Sequence, residues 1–145
     1  MIDSFSGQYA WLSNFYPSEI EYEGLLYPSV ENAYQAAKTL EDRSKFLYCE
    51  AGVAKRLGKK VRLRGGWEDI KISIMEELLR KKFNIKEFKA RLLQTEDNEL
   101  IEGNYWFDRY WGVCQGVGRN ELGKLLMKIR ADLLIEEQRK SKRTY

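Results

Sequence analysis

The sequence predicts an α+β fold, mostly helical with a few short strands, and three observations carry that prediction. Apolar residues recur at helical spacing in Trp67–Phe83, through Ile70, Ile74, Met75, Leu78 and Leu79, and again through Leu122, Leu125, Leu126, Ile129 and Leu133. Residues 1–28 are instead rich in Gly, Pro, Tyr and Ser, and residues 19–22 alternate polar with apolar before Glu23-Gly24, the pattern of short strands or a hairpin. No repeat, low-complexity tract or linker interrupts the 145 residues, a length that fits a single domain over 1–145 with one core.

The elements follow in order. Pro28-Ser29 opens a helix over 30–40, with a hydroxyl available to cap it and no Gly or Pro inside it. Residues 42–49 and 51–57 read as short helices, and Gly65-Gly66 breaks the chain before the helix Trp67–Phe83. Residues 86–93 continue helically, 95–98 turn, and 100–111 are strand or irregular. A glycine-bearing loop over 112–120 then leads to Asn120 as the cap of a last helix.

Composition narrows the function. Aromatic residues make up 13% of the chain, and several lie in polar, glycine-containing stretches, as rings kept for a ligand would. The net charge of +3 comes mainly from residues 59–64 and the tail 139–143, which a solvated face explains as well as a binding one. Basic and aromatic residues do not alternate as they do in strand-binding modules, which argues against a dedicated nucleic-acid binder. Cys49 and Cys114 form neither a disulfide framework nor a zinc spacing, so a reducing compartment is expected. With no signal-like start and no apolar run of about 20 residues, the expectation is a cytoplasmic protein without a membrane partner.

There is no histidine. Imidazole bases, Ser-His and Cys-His nucleophiles and most catalytic zinc sites are therefore excluded, and proton chemistry falls to carboxylates, Lys or Tyr. Neither metal nor cofactor is called for.

Two stretches concentrate such groups. On the first helix, rotation of about 100° per residue puts Glu31, Tyr34, Gln35 and Lys38 on one side and Val30, Ala33, Ala36, Ala37 and Leu40 on the other, core-facing side. The polar side is either a plain solvent face, with Glu31 complementing the helix dipole, or a site face carrying an acid, two hydrogen-bonding groups and a base. The N-terminal position favours ionised Glu31 unless burial opposes it. The second stretch, residues 104–112, holds five aromatics with Asp108 and Arg109 and runs into Gly112, Gly116 and Gly118. Rings there can stack on a base, and glycines let backbone N–H groups approach ribose or phosphate; equally, Asp108 can be a turn residue and the aromatics a strand face. Arg62 and Arg64, followed by Gly65, Gly66 and Trp67 where a helix begins, suit a phosphate or a surface turn.

These residues carry a resemblance. Ser13-Asn14-Phe15-Tyr16-Pro17 and Tyr27-Pro28-Ser29-Val30-Glu31-Asn32-Ala33-Tyr34-Gln35-Ala36-Ala37-Lys38 are similar to the opening motifs of the YbiA-like family, also called NADAR. Trp67 with Met75 and Lys82-Phe83, Asp108-Arg109-Tyr110-Trp111-Gly112, and the run from Gly118 through Asn120 and Gly123 to Met127 and Arg130 follow in the family's order. The resemblance implies a YbiA-like α+β N-glycosidase acting on ribosylated bases. Members of the family split phosphoribosylamino-pyrimidine intermediates of riboflavin synthesis, and others remove ADP-ribose from guanine bases, a substrate that can lie within nucleic acid. It further implies functional roles for Glu31, Trp67, Asp108 and Trp111, with Asn14 and Lys38 as ligand contacts. One position departs: many members carry His after the motif glutamate, where this chain has Asn32.

Both lines lead to one expectation. Ribose C–N cleavage builds positive charge on the sugar and negative charge on the leaving base, so paired carboxylates, Glu31 and Asp108, stabilise the one and handle protons for the other. Asn14, Phe15, Tyr34, Gln35, Lys38, Trp67, Trp111, Gly112 and Asn120 form the candidate substrate-binding set, with Arg62 and Arg64 for phosphate. The rivals are a non-catalytic reader of ADP-ribose or a related nucleotide, and an RNA-associated protein using its tail, residues 138–145.

Overall fold

The computed structural model describes residues 1–143. They form two units, Asn14–Asn84 and a second made of Met1–Ser13 with the chain from Ile85 onward.

In the unit Asn14–Asn84, strands β1 (Ile20–Tyr22) and β2 (Leu25–Tyr27) pair antiparallel, Ile20 opposite Tyr27. Glu23 and Gly24 both take positive φ, as the tightest hairpin turns require. Helix α1 (Val30–Ala37) begins as expected: Ser29 is extended, and its Oγ accepts the Asn32 N–H at 3.1 Å. It stops three residues short of the expected end. The Arg64 N–H donates to the Lys38 carbonyl at 2.8 Å, so another segment takes the carbonyl that a further turn would have used. Leu40 thus lies beyond the helix and is 69% exposed rather than part of its core side.

The expected helix over 42–49 is only a 3-10 turn, Ser44–Phe46. Asp42 Oδ1 caps the Ser44 N–H, while the Asn32 amide takes the carbonyls of Phe46 and Cys49, which a helical ladder would otherwise occupy. Helix α2 (Ala51–Gly58) follows, and α3 (Trp67–Phe83) starts after Gly66 at φ 74°, at the expected bounds. Helix α1 packs against α2, α3 and the hairpin. All eight of its residues are buried, Glu31, Asn32, Tyr34 and Gln35 included, so its polar side is not a solvent face.

In the other unit the N-terminal segment adds a β-bridge between Ile2 and Leu100, and Gly7–Leu12 winds into 3-10 turns that the sequence did not announce. Helices α4 (Lys86–Gln94) and α5 (Glu121–Arg143) pack together. The five apolar residues expected on the last helix, Leu122, Leu125, Leu126, Ile129 and Leu133, are all buried. Strands β3 (Gly103–Asn104) and β4 (Val113–Cys114) pair in parallel over two residues each. Asn120 does not cap α5 with its side chain. Its Oδ1 accepts the Glu102 N–H at 3.0 Å and its Nδ2 donates to the Leu100 carbonyl at 2.9 Å, and only its main-chain carbonyl joins the first turn, accepting from Lys124. The basic tail extends α5 to Arg143, and the last two residues of 138–145 lie outside the described residues. Among the described residues, no helix is long and apolar enough to cross a membrane.

Candidate active site

Seven of the expected site residues, Asn14, Phe15, Glu31, Tyr34, Gln35, Lys38 and Trp67, belong to the unit Asn14–Asn84. Glu31, in the first turn of α1, is 7% exposed, and its N–H donates to the Asn14 carbonyl at 3.0 Å. One turn on, Gln35 Nε2 donates to Glu31 Oε1 at 2.7 Å. Gln35 is itself held from below: a Cβ on Gly58 of α2 would run into the Gln35 amide, so glycine alone lets α2 approach this closely. The carboxylate is therefore held by a side chain that lies directly against α2.

Aromatic surface lies beside it. Tyr34 and Trp67, both buried, meet with ring centroids 5.3 Å apart and planes tilted by 54°. The Lys38 ammonium stands 5.7 Å from the Tyr34 centroid. Burial lowers the pKa of Lys38; the Glu31 charge works against that, and Lys55, Lys59 and Lys71 reinforce it. Asn14, 8% exposed, donates from Nδ2 to Met75 Sδ at 3.5 Å, while its Oδ1 is buried without a hydrogen-bond partner. A buried acceptor on the residue whose main-chain carbonyl meets the Glu31 N–H suits a donor brought by a ligand, such as a sugar hydroxyl. Phe15 is 44% exposed, with the Lys55 ammonium 5.9 Å from its ring.

Asn32 has a structural occupation. It is fully buried, accepts from Ser29 Oγ at 2.6 Å, and donates to the carbonyls of Phe46 and Cys49 at 2.9 and 2.8 Å. The position after the motif glutamate here fastens the segment between α1 and α2. Of the two arginines expected to hold phosphate, Arg64 points its Nη1 at the Tyr22 hydroxyl and the Ala37 carbonyl, at 3.5 and 3.4 Å, and Arg62 is exposed.

Asp108, Trp111, Gly112 and Asn120 belong to the other unit. Asp108 is half-buried, and its Oδ1 accepts the N–H groups of Tyr110 and Trp111 at 3.1 and 2.9 Å. Asn104 closes the loop before it, donating to the Asp108 carbonyl at 2.8 Å and accepting the Asp108 N–H at 3.0 Å. The turn role considered for Asp108 is thus real, whatever else its carboxylate does. Trp111 meets Tyr110 edge to face at 5.0 Å. Gly112 is buried where a Cβ would strike the Glu102 carbonyl, so close packing by itself requires glycine there.

Sequence reasoning passed over Lys55 and Lys71, and met Lys59 only as the start of the basic run 59–64; these are the positive charges that act on Lys38. The available signal was the spacing Gly52, Lys55, Lys59 on α2, one helical face on which small residues leave the lysines prominent.

Comparisons with known proteins identify the family. The NADAR domain model matches residues 3–134. The chain is similar to the N-glycosidase YbiA of Escherichia coli, 36% identical over 141 residues that cover 92% of this chain and 88% of that protein. It is also 39% identical over 132 residues to a riboflavin biosynthesis protein of Vibrio vulnificus, a match covering 86% of this chain but only 36% of the longer Vibrio protein. An NMR structure of E. coli YbiA superposes with a TM-score of 0.82 at 35% identity, covering 95% of this chain and 89% of that one. Matched along nearly its whole length in sequence and in backbone, the chain belongs to the NADAR domain family.

Proposed function

We propose that this protein is an N-glycosyl hydrolase that cleaves the bond between ribose and a base or amino-pyrimidine, with Glu31 as the carboxylate closest to the chemistry. N-glycosidase activity is the activity of the relatives it matches over most of their length, E. coli YbiA among them. The observation that carries the assignment of Glu31 is its setting: a buried carboxylate, aimed by Gln35 at 2.7 Å, in a unit that also offers paired rings and a half-buried ammonium.

The chemistry follows from that setting. As the C–N bond breaks, its electron pair leaves with the base and positive charge gathers on the sugar, which a nearby carboxylate stabilises. Glu31 then takes a proton from the water that attacks the anomeric carbon. The base needs a proton as it departs, and Lys38, whose pKa is lowered by burial, gives one up more readily than an exposed lysine. Asn14 Oδ1 accepts from a ribose hydroxyl, and Tyr34, Trp67 and Phe15 supply ring surface. Asp108 enters as the second carboxylate on its Asp-x-x-Trp-Gly motif, with Trp111 as a stacking ring. Gly112 acts through close backbone packing, and Asn120 through its side-chain hydrogen bonds to Glu102 and Leu100.

The test is direct. Purified full-length protein, with chelator present, is incubated with ribosylated amino-pyrimidines and with ADP-ribosylated guanosine, and products are identified by mass. Free base together with ribose phosphate or ADP-ribose is the expected result. Saturable binding with the ligand recovered intact would instead make the protein a reader of ribosylated compounds.

A further inference from the structure

The sequence suggested that a phosphate on the substrate meets Arg62 and Arg64, yet Arg64 is engaged with the Tyr22 hydroxyl and the Ala37 carbonyl and belongs to the wall of the unit. Positive charge collects elsewhere. On α2, Gly52, Lys55 and Lys59 follow one another at helical spacing along a single face. A Cβ on Gly52 would lie 4.0 Å from the Phe15 ring, so this face looks onto the Asn14–Phe15 loop, while Gly58, about 60° round the helix from Lys55, meets Gln35. Lys55 is the large side chain on the Gly52 face, half-buried, with its ammonium 5.9 Å from the Phe15 centroid. From α3, Lys71 comes one turn after Trp67, the residue whose ring meets Tyr34. It pairs with Glu68, whose side chain is 74% exposed. Lys38 completes the group from α1.

Lys55, Lys59 and Lys71 thus all act on Lys38, and among the described residues the buried acid that opposes them there is Glu31. Like charges so placed repel one another, and folding holds them together only at a cost. An anionic ligand removes that cost on binding, and a phosphate, with several oxygens and close to two charges, matches two or three lysines better than a carboxylate does.

We infer that Lys55, with Lys59 one turn on, receives a phosphate carried by the substrate's ribose, making α2 the element that tells phosphorylated from unphosphorylated ribosides. Lys55 is then a specificity determinant: the Phe15 ring beneath its ammonium keeps the side chain laid over the site. Lys71 adds charge from the α3 side while Lys38 stays with the reacting bond. This inference rests on the hydrolase reading for the position of the sugar, but it can be tested without turnover.

The experiment measures affinity for ribose 5-phosphate and for ribose by calorimetry with the full-length protein, in the wild type and in K55A, K55R and K59A, each checked for a wild-type melting profile. The wild type is expected to prefer ribose 5-phosphate by at least about tenfold, K55A to lose most of that preference, K55R to restore it and K59A to weaken it in part. The same preference in K55A as in the wild type overturns the inference, as does a preference lost in R62A but kept in K55A. Should K55A melt early, K55M and K55R decide, since both keep the aliphatic stem over Phe15. A separate assay follows release of base from an amino-pyrimidine ribotide. If the wild type releases none while K55A still loses its phosphate preference, the hydrolase reading falls and the phosphate site stands; if base is released and K55A binds ribose 5-phosphate like the wild type, the reverse holds.

Discussion

Gln35 Nε2 and Glu31 Oε1 lie 2.7 Å apart, one turn along α1, and both side chains are buried. The hydrogen bond fixes which way the carboxylate faces, and burial removes the water that would compete for it. Substituting Glu31→Gln keeps shape and hydrogen-bonding length while deleting the charge. The expected outcome is a fall of about 10²-fold or more in the single-turnover rate, with substrate affinity changed far less. A single-turnover measurement on E31Q with an unaltered melting profile checks this; an unchanged rate removes Glu31 from the mechanism.

Asp108 has two possible jobs that two substitutions separate. D108N retains an acceptor for the N–H groups of Tyr110 and Trp111, whereas D108A removes it. If the charge acts in the chemistry, D108N loses about 10²-fold in rate while melting like the wild type. If only the turn matters, D108N keeps its rate and D108A alone suffers, with a loss of about 1–3 kcal/mol of stability from the unmet backbone groups. Paired rate and melting measurements distinguish the two.

Asn32 should behave as a fastening. N32A strips the partners from the Phe46 and Cys49 carbonyls and leaves a void, so a loss of about 2–3 kcal/mol in denaturant unfolding is expected. Protein that remains folded should still turn over, because the lost groups face the segment 44–49. A rate collapse in fully folded N32A would contradict this.

Lys82, wholly buried on α3 with the rings of Tyr16 and Phe83 at 5.9 and 5.3 Å, has its ammonium pushed down by burial to about 7. In the unfolded chain the same group titrates near about 10.4. Between those values the unfolded state holds a proton that the folded state lacks, so this residue makes stability rise with pH across that window. Below pH 7 both states are charged and the full cost of the buried ammonium is present. K82M should therefore melt higher than the wild type at pH 6, by about 2–4 kcal/mol, with the gap closing as pH approaches about 10. Thermal melts of both proteins at pH 6, 8 and 10 test it.

How far the sequence could be read depended on where each element finds its partners. Helix α3 declared itself because its apolar stripe and the glycines before it are local signals, and the hairpin did so through its alternation and its Glu23-Gly24 turn. The stripe Glu31, Tyr34, Gln35 and Lys38 was legible as one face, but its burial was not, since the groups that cover and satisfy it come from Asn14, Gly58 and Trp67, up to about ten helical turns away in sequence. The same holds for Leu40, exposed because Arg64 caps the chain before it could re-enter the core, and for Asn120, whose side chain serves Leu100 and Glu102 instead of its own helix. A composition tally of charge pointed to residues 59–64, of which Lys59 does act on Lys38, but it could not show that Lys55 of α2 and Lys71 of α3 join it.

Gly58, described above as the floor under Gln35, ties the fates of two codons together. Any exchange at 58 that adds even a methyl forces residue 35 to shorten or swing away, and the carboxylate then loses its guide. In a saturation library of this protein, survivors at position 58 should carry a second change at 35 and be correspondingly sluggish catalysts. Position 58, which touches no substrate, becomes a remote dial on reaction rate.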